Sequence, residues 1–460
     1  MIPSEAVDLA ARDLAVVWHP CTQMHDHETL PMLPIASAEG AWLRGHDGKS
    51  YLDAVSSWWT CLLGHRHPRI VAALKDQLDR LDHVMLAGFT HEPAIMLAEE
   101  LVRIAPRAAD ASRALRRVFY ADNGSSAVEV ALKLSFHYWS NSGSGKRTRF
   151  IALTGGYHGE TLGALSVTDI ALYRRTYAPL LLEPIFAPSP DAYDRLRGET
   201  AVDCASRRLG ELRVILEQHA GDVCAIIVEP LVQCAGGMRM YDASYLGGLR
   251  ALCDEFGIHL IADEIAVAFG RTGTLFACEQ GGIAPDFLCL SKGLTGGTLP
   301  LSAVLTTPKV YDAFYAEYSA GKAFLHSHSY TGNPIACRAA LATLAVLRDE
   351  PVIERNRALA AHLAARIAPL AAHAHVADVR QTGMIAAIEL VKDKRTREPF
   401  PADERRGLRV YRYGLERGVI LRPLGNVVYF MPPYCITPGE IDLMVDVATE
   451  GIERAVHDVG

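Results

Sequence analysis

Short apolar runs alternate with amphipathic stretches through the middle of the chain, and this alternation predicts its main elements. Runs of this kind are typical of strands buried on both faces of a parallel sheet. Segments with helical spacing lie between the runs, over 126–139 and over 243–257. The pattern therefore predicts an α/β fold with a mainly parallel sheet. The six strand-length runs are at 117–121, 149–153, 224–229, 259–264, 287–291 and 302–307.

The two ends of the chain have a different pattern, which predicts a second, smaller α+β domain. Residues 40–54 read as a hairpin around a His46-Asp47-Gly48 turn, followed by a helix over about 68–81. The last 115 residues begin with an Ala-rich helix pair, and the strands follow it. The predicted elements here are helices 335–349 and 353–372, a strand 383–390 and a strand pair around 419–431. We expect a large domain over 76–345 and a small domain over 346–460, which the segment 1–75 joins.

Composition and charge narrow the classes of protein that fit. The chain has 460 residues and a formal net charge of −7, and this acidic balance gives no support for nucleic-acid binding. No window reaches the roughly 18 apolar residues that a membrane-spanning helix needs. The first 20 residues lack the apolar centre of a signal peptide. We therefore expect a cytoplasmic protein that binds neither membrane nor nucleic acid.

The thiols and imidazoles do not predict a metal site. The ten cysteines show no CxxC spacing, and most lie among apolar neighbours, as buried free thiols do. His65 and His67, in GHRHP, alternate on a short loop without an acidic cluster. A turn before a helix explains these two histidines better than a metal site does.

Four motifs follow predicted strands at their carboxyl ends, where open parallel sheets bind ligands. Two of them suit a phosphate and a flat ring. In ADNGSS, at 121–126, glycine and hydroxyls precede a helix and can hold a phosphate, although a plain capped turn explains the motif as well. In GGYHG, at 155–159, Tyr157 or His158 can stack on a ring, or both can be incidental turn residues.

The other two motifs carry charges. Asp263, in IADE at 261–264, ends an apolar strand. Burying a carboxylate there is costly unless it is paired or faces a site. The alternative is that the acidic residues cap a helix or form a pair that faces solvent. Lys292, in CLSKGLTGG at 289–297, also ends an apolar strand. A lysine in an apolar pocket loses its proton more easily and becomes a nucleophilic amine, whereas a lysine leaving the sheet for solvent has no such role. Together the four motifs supply what pyridoxal phosphate needs.

Several longer motifs resemble the class III aminotransferases of the fold-type I pyridoxal-phosphate enzymes. The resemblance extends from about Trp18 to residue 435 and rests on IADEI, FGRTG at 269–273, SKGLTGG at 291–297 and TGNP at 331–334. It is strongest to the branch that transfers an amino group from S-adenosylmethionine to 8-amino-7-oxononanoate in biotin biosynthesis. The residues typical of that branch are WHPCTQM (18–24), AVSSWWT (54–60), GGYHGETLGALSVTD (155–169), EPLVQCAGGMRMY (229–241) and RPLGNVVYFMPPY (422–434).

The resemblance implies roles for the cofactor residues. Lys292 would be the Schiff-base lysine and would move the proton, Asp263 would pair with the pyridine nitrogen, and Tyr157 would stack on the ring. The phosphate would be held by Gly124, Ser125 and Ser126. Ser329, where the family commonly has threonine, would reach the phosphate of a neighbouring subunit. The resemblance therefore also implies a homodimer.

The resemblance also implies substrate residues. Arg422 would bind the carboxylate of the keto substrate in a bidentate fork, with Tyr429 near it. Trp58 and Arg271 would line the pocket. Without the resemblance, Trp58 and Tyr429 read more simply as a core aromatic and an outward strand residue.

Besides Ser329, four positions differ from what the class commonly has. Cys21 stands where an aromatic residue is usual and puts the choice of amino donor in question. Ala268 replaces a glycine and Glu160 replaces an aspartate. Ala235 stands where many class III enzymes have a glutamate, which counts against an ornithine- or aminobutyrate-type enzyme.

Three alternatives stay open at this point. One is another class III aminotransferase that acts on ω-amino acids or diamines. Another is the same reaction with lysine as the donor. A third is a catalytically silent cofactor-binding protein, against which the presence of both Lys292 and Asp263 argues.

Overall fold

The computed structural model describes residues 4–30, 32–107, 110–219 and 221–457. These residues form two compact units. The first unit consists of 1–67, 358–379 and 386–460, and the second consists of 68–357 and 380–385. Helix 68–78 lies in the second unit, whereas the sequence assigned residues up to 75 to the smaller domain.

The strands and helices are numbered in chain order. The strands are β1 (Ile35–Glu39), β2 (Trp42–Gly45), β3 (Ser50–Asp53), β4 (Arg117–Ala121), β5 (Arg149–Leu153), β6 (Ile185–Ala187), β7 (Val223–Val228), β8 (Val232–Gln233), β9 (Arg239–Met240), β10 (His259–Asp263), β11 (Phe287–Leu290), β12 (Ser302–Thr306), β13 (Val376–Thr382), β14 (Ile385–Asp393), β15 (Glu398–Pro399), β16 (Val419–Ile420) and β17 (Val427–Phe430). The helices are α1 (Ser4–Val16), α2 (Ser56–Trp59), α3 (Pro68–Leu78), α4 (Glu92–Ile104), α5 (Gly124–Asn141), α6 (Leu162–Ser166), α7 (Ala171–Arg174), α8 (Ala201–His219), α9 (Ser244–Glu255), α10 (Pro308–Asp312), α11 (Pro334–Asp349), α12 (Val352–Ile367), α13 (Arg406–Glu416) and α14 (Pro438–His457).

A seven-stranded sheet forms the centre of the second unit. Its strand order is β4-β12-β11-β10-β7-β5-β6. Every strand runs parallel to the others except β12, which is antiparallel to both of its neighbours. The predicted α/β fold with a mainly parallel sheet is confirmed, and all six predicted strands lie in this sheet.

The apolar runs explain why these strands are central. Every residue of β7, β10, β11 and β12 is buried, as expected for strands covered on both faces. Helix α5 begins where the Asn123 side chain accepts a hydrogen bond from the backbone N–H of Ser126, which is a normal helix cap. The parallel strands place the carboxyl ends of β4, β5, β7, β10 and β11 at one edge of the sheet.

Two smaller sheets lie mostly in the first unit. One has the order β1-β2-β3-β16, and the other has the order β13-β14-β15 with β17 paired to β14. The predicted hairpin is confirmed as β2 and β3, with Gly48 at φ 79° in the turn. Two strands are present at 419–431, as predicted, but they do not pair with each other, because β16 pairs with β3 and β17 pairs with β14. Both are short apolar segments, and sequence spacing alone does not select their partners.

Helix α2 of the first unit is a left-handed turn. Its four residues have φ values of 52°, 45°, 70° and 71°, and none of them is glycine. An L-residue in this conformation costs about 1–2 kcal/mol, because its Cβ approaches the following carbonyl oxygen. Contacts from the surrounding structure must therefore hold the turn in place.

In the described part of the chain, no helix combines the length and the apolar character that crossing a membrane requires.

Candidate active site

Asp263 and Lys292 come from the carboxyl ends of two neighbouring strands. Asp263 is the last residue of β10, and in the parallel register it lies beside Cys289 of β11. Lys292 follows β11 and begins a short 3-10 helix, Lys292–Thr295, with φ 46°. The structure therefore brings the predicted acid and the predicted lysine to the same edge of the sheet.

The carboxylate of Asp263 is held by hydrogen bonds. Its Oδ2 lies 2.8 Å from Nδ1 of His158, and its Oδ1 accepts the backbone N–H of Ile265 at 3.1 Å. Asp263 and His158 are both buried. A buried carboxylate needs such partners, and these two fix the direction in which it faces.

Lys292 has the acid–base property that amine chemistry requires. Burial lowers the pKa of Lys292, and the neighbouring acidic groups of Asp263, Cys234 and Glu229 oppose part of that shift. A lower pKa increases the fraction of neutral amine, which is the nucleophilic form.

Glu229 is a member of this cluster to which the sequence motifs assigned no role. It follows β7 directly, and its carboxyl accepts the backbone N–H groups of Tyr157 and Cys234, each at 2.9 Å. Burial raises the pKa of Glu229 to about 7. The same signal that selected Asp263, an acid directly after a buried strand, applies to Glu229 and was available in the run CAIIVE.

Tyr157, which is predicted to stack on the ring of the cofactor, is held by hydrogen bonds from its backbone and from its hydroxyl. The backbone N–H of Tyr157 donates to Glu229, and its hydroxyl donates to Oε1 of Glu160 at 2.9 Å. Its ring centroid lies 5.5 Å from that of Tyr173. Glu160, one of the departures from the class, therefore contacts Tyr157 directly.

The predicted phosphate residues form the first turn of α5. Ser126 donates its backbone N–H to the Asn123 side chain, whereas Ser125 Oγ accepts the backbone N–H of Glu160 at 3.1 Å. A Cβ at Gly124 would lie 3.0 Å from the Ile265 side chain, so glycine allows α5 to approach the loop after β10. The first turn of an 18-residue helix carries backbone N–H groups that favour an anion.

Arg271 and Ser329 are placed differently. The side chain of Arg271 is buried, and its backbone carbonyl accepts the N–H of Met384 at 2.9 Å. Ser329 lies on the exposed turn before α11. Within the second unit, the structure therefore places Ser329 at the surface and Arg271 in the interior.

In the first unit, Arg422 stacks on Trp58. The guanidinium carbon of Arg422 lies 4.6 Å from the ring centroid of Trp58, within the range of a cation–π contact. Arg422 Nη2 also lies 3.5 Å from the backbone carbonyl of Cys21. The structure thus groups three of the four predicted substrate residues of this unit, and Trp58 is 37% exposed.

The fourth residue, Tyr429, is paired with the second tryptophan. Its hydroxyl accepts the indole N–H of Trp59 at 3.0 Å, and the two rings meet edge to face. Tyr429 is 1% exposed and Trp59 is 4% exposed. Tyr429 therefore lies in the core of its unit rather than facing outward on its strand.

Within the described ranges, no group of three or more His, Cys, Asp or Glu side chains is arranged to hold a metal ion. His65 Nε2 lies 2.9 Å from Oδ2 of Asp53. Both lie in the first unit.

The chain matches the family model described as aminotransferase class-III over residues 23–454. It is 46% identical, over 444 residues, to the adenosylmethionine-8-amino-7-oxononanoate aminotransferase of Geobacter sulfurreducens. That alignment covers 96% of this chain and 96% of the relative.

Solved structures are similar over nearly the same span. The crystal structure of adenosylmethionine-8-amino-7-oxononanoate aminotransferase from Methanocaldococcus jannaschii has a TM-score of 0.91 and 39% identity, covering 97% of this chain and 99% of that chain. The PLP-bound amine transaminase from an uncultivated Pseudomonas species has a TM-score of 0.90 and 34% identity, covering 96% of this chain and 99% of that chain.

Proposed function

The chain belongs to the class III aminotransferase family, and from this premise we propose that it aminates 8-amino-7-oxononanoate with S-adenosylmethionine as the donor. The product would be 7,8-diaminononanoate, an intermediate of biotin biosynthesis. The observation that carries the proposal is the near full-length similarity to aminotransferases named for this donor and this acceptor. The family resemblance drawn from the sequence motifs is confirmed.

The residues at the sheet edge fit pyridoxal phosphate, the cofactor of this family. Asp263 is a buried carboxylate held by His158, which suits a partner for a protonated pyridine nitrogen. Lys292 has a pKa lowered by burial, as a Schiff-base lysine needs. Glycine at 124 keeps the first turn of α5 close to the loop after Asp263. We propose that Gly124, Ser125 and Ser126 hold the phosphate.

The protein's own groups would perform the proton transfers. When bound, the cofactor supplies a ring that withdraws electrons from the reacting carbon. Lys292 Nζ, as a neutral amine, would accept the proton from that carbon and return it to the cofactor side. Asp263 would keep the ring nitrogen protonated, and Tyr157 would hold the ring by stacking. Amino transfer then proceeds in two half-reactions, with donor first and keto acid second.

The proposed roles of the substrate residues follow the family resemblance. We propose that Arg422 binds the carboxylate of the keto acid, because a guanidinium fork matches a carboxylate in two hydrogen bonds. Trp58 would cover the apolar chain of that substrate. Tyr429, Cys21 and Arg271 would shape the pocket. The stacking of Arg422 on Trp58 supports a shared role for these two residues.

We further propose a homodimer in which Ser329 contacts the phosphate bound to the other subunit. Ser329 is exposed in the chain, and large exposed side chains lie near it in sequence. Leu325 is 91% exposed and Tyr318 is 100% exposed. A second copy of the chain would cover this exposed apolar surface. The cytoplasmic location stays a prediction.

A half-reaction assay tests the proposed function. The yellow holoenzyme is mixed separately with S-adenosylmethionine, lysine, alanine and a diamine, and the loss of its visible absorbance is followed. We expect bleaching with S-adenosylmethionine and return of the colour with 8-amino-7-oxononanoate. Lys292→Ala should lose both responses, whereas the exposed-lysine control Lys309→Ala should keep them.

Other outcomes of this assay select the alternatives. Bleaching by lysine alone would replace the donor and keep the acceptor. Bleaching by a diamine, with no return of colour from 8-amino-7-oxononanoate, would favour an amine transaminase such as the structural relative from Pseudomonas. A purified protein that binds no pyridoxal phosphate would overturn the proposal as a whole.

A further inference from the structure

The left-handed turn α2 is held from inside by one buried carboxylate. Asp53 ends β3, and its Oδ1 accepts the backbone N–H of Ser57 at 2.9 Å while its Oδ2 accepts the Ser57 hydroxyl at 2.7 Å. The same Oδ2 lies 2.9 Å from His65 Nε2. The side chain of Asp53 is 1% exposed, so the accepting carboxylate is buried, while its bonds to Ser57 and His65 are partly buried.

The ionised state of Asp53 suits this role. Burial alone opposes ionisation, but hydrogen bonds from His65 and Ser57 outweigh it and hold the pKa of Asp53 below its usual value. A carboxylate accepts from every partner around it, whereas a neutral amide of the same shape accepts only through one oxygen. Charge-assisted hydrogen bonds are about twice as strong as neutral ones.

The two ends of the turn are anchored to the segment around β17. Ser56 Oγ donates to the backbone carbonyl of Met431 at 2.7 Å. Trp59 Nε1 donates to the hydroxyl of Tyr429 at 3.0 Å. Ser57 and Trp58, between these anchors, are exposed. Asp53 therefore holds the exposed half of the turn at Ser57, where the Thr60 hydroxyl also donates to the Ser57 carbonyl at 3.1 Å.

The conformation of Ser57 sets the direction of the next side chain. Ser57 has φ 45° and Trp58 has φ 70°, so the direction in which the indole of Trp58 leaves the backbone depends on the left-handed conformation of the turn. In this position the ring meets the guanidinium of Arg422 at 4.6 Å. If Ser57 returned to negative φ, the Trp58 ring would lose this position.

We propose that Asp53 is a positioning residue for the keto acid: through Ser57 it holds the left-handed turn that presents Trp58 to Arg422. The inference rests on the proposed function, because the role of Trp58 and Arg422 toward that substrate belongs to it. Asp53 itself need not touch the substrate.

The test asks whether Ser57→Gly restores the KM in Asp53→Asn, which is expected only if Asp53 acts by holding the backbone conformation of Ser57. Asp53→Asn keeps the volume but weakens the hold on Ser57. Ser57→Gly removes the Cβ that makes positive φ costly and keeps the backbone N–H. We expect Asp53→Asn to raise the KM for 8-amino-7-oxononanoate about tenfold and to leave the donor half-reaction within about twofold. Asp53→Asn/Ser57→Gly should restore the KM to near the wild-type value.

Two controls and a second measurement accompany the kinetics. Asp47→Asn changes another aspartate of the first unit that hydrogen-bonds its own turn, and it should leave the KM unchanged. Ser57→Ala keeps the Cβ and loses the hydroxyl, so it should not rescue Asp53→Asn. The second measurement is near-ultraviolet circular dichroism of each holoenzyme. Subtracting the spectrum of the same protein with Trp58→Phe gives the contribution of Trp58, which reports how firmly its ring is held and requires no substrate.

The outcomes separate this inference from the proposed function. Equal slowing of the donor and keto-acid half-reactions, or no recovery on adding Ser57→Gly, would overturn the positioning role. If 8-amino-7-oxononanoate is not a substrate, the proposed function fails. Asp53 would still be shown to hold the turn if the circular dichroism signal of Trp58 is lost in Asp53→Asn and regained in Asp53→Asn/Ser57→Gly. An unchanged Trp58 signal in Asp53→Asn would overturn the inference directly.

Discussion

Nδ1 of His158 lies 2.8 Å from Oδ2 of Asp263, and both side chains are buried at the same edge of the central sheet. The backbone N–H of His158 donates in turn to Thr168 Oγ1 at 2.9 Å. The backbone of His158 is thus fixed by its own loop, and its imidazole fixes the carboxylate. The loop after β5 therefore orients the Asp263 carboxylate through His158.

His158→Leu should reduce kcat by about 10- to 100-fold, because a hydrogen bond to a buried charged group is worth about 1.5–3 kcal/mol. His158→Asn is the matched control, since its amide can occupy the position of Nδ1 and donate to Asp263. We expect His158→Asn to retain most of the activity and the affinity for pyridoxal phosphate. Steady-state kinetics and cofactor titration measure both. Equal losses in the two variants would contradict a role through Asp263.

Glu229 should make stability depend on pH. Burial raises its pKa from 4.5 to about 7, so the folded protein favours the protonated carboxyl. Its stabilising contribution is complete below about pH 4.5 and is lost as the pH rises through about 7. A shift of this size corresponds to roughly 3 kcal/mol.

Glu229→Gln mimics the protonated carboxyl at every pH and should remove this dependence. The unfolding temperature of Glu229→Gln relative to wild type should therefore rise between about pH 5 and pH 8. Thermal unfolding followed by circular dichroism measures it. The exposed control Glu217→Gln should show no such trend. A constant difference between Glu229→Gln and wild type across that range would show that Glu229 is ionised throughout.

Gly159→Ala should weaken the binding of pyridoxal phosphate. Gly159 has φ 127°, and a Cβ there would overlap the side chain and Cα of Ser125, one of the residues proposed to hold the phosphate. We expect at least a tenfold rise in the cofactor Kd, since displacing one such contact costs about 1.4 kcal/mol or more.

Gly143→Ala is the matched control for backbone strain. Gly143 has φ 77°, but a Cβ there would meet nothing within 4 Å. It should lower the unfolding temperature slightly and leave cofactor binding unchanged. If both alanine variants weaken cofactor binding equally, the effect is general destabilisation rather than displacement of Ser125.

Arg422→Ala should raise the KM for 8-amino-7-oxononanoate by about 100-fold and leave the donor half-reaction nearly unchanged, because a lost carboxylate contact costs about 3 kcal/mol. Arg422→Lys should recover only part of it, since an ammonium lacks the planar fork. Arg417, which lies over the ring of Tyr413, provides the matched control Arg417→Ala. Equal effects on both half-reactions would argue against carboxylate binding.

The predicted strands of the central sheet were correct to within a residue or two, because buried parallel strands are continuous apolar runs. The same rule located Asp263 and Lys292 as charged residues directly after such runs. It applied equally to Glu229, whose role became evident only from the backbone N–H groups that it accepts. The pairing of β16 and β17 with separate sheets could not be read from their length and composition.

By itself, the sequence determined the fold class, the family and the residue types available at the sheet edge, since periodicity and motifs are local properties of the chain. Tertiary structure alone decided which of these groups meet. His158 reaches Asp263 from a loop more than 100 positions away in the chain, and Asp53 holds Ser57 at a φ that no local propensity favours. The physical reason is that sequence patterns report only on residues that are close together in the chain. Hydrogen bonds between distant groups form only in the folded protein, and burial makes them strong enough to orient a carboxylate and to hold a left-handed backbone turn.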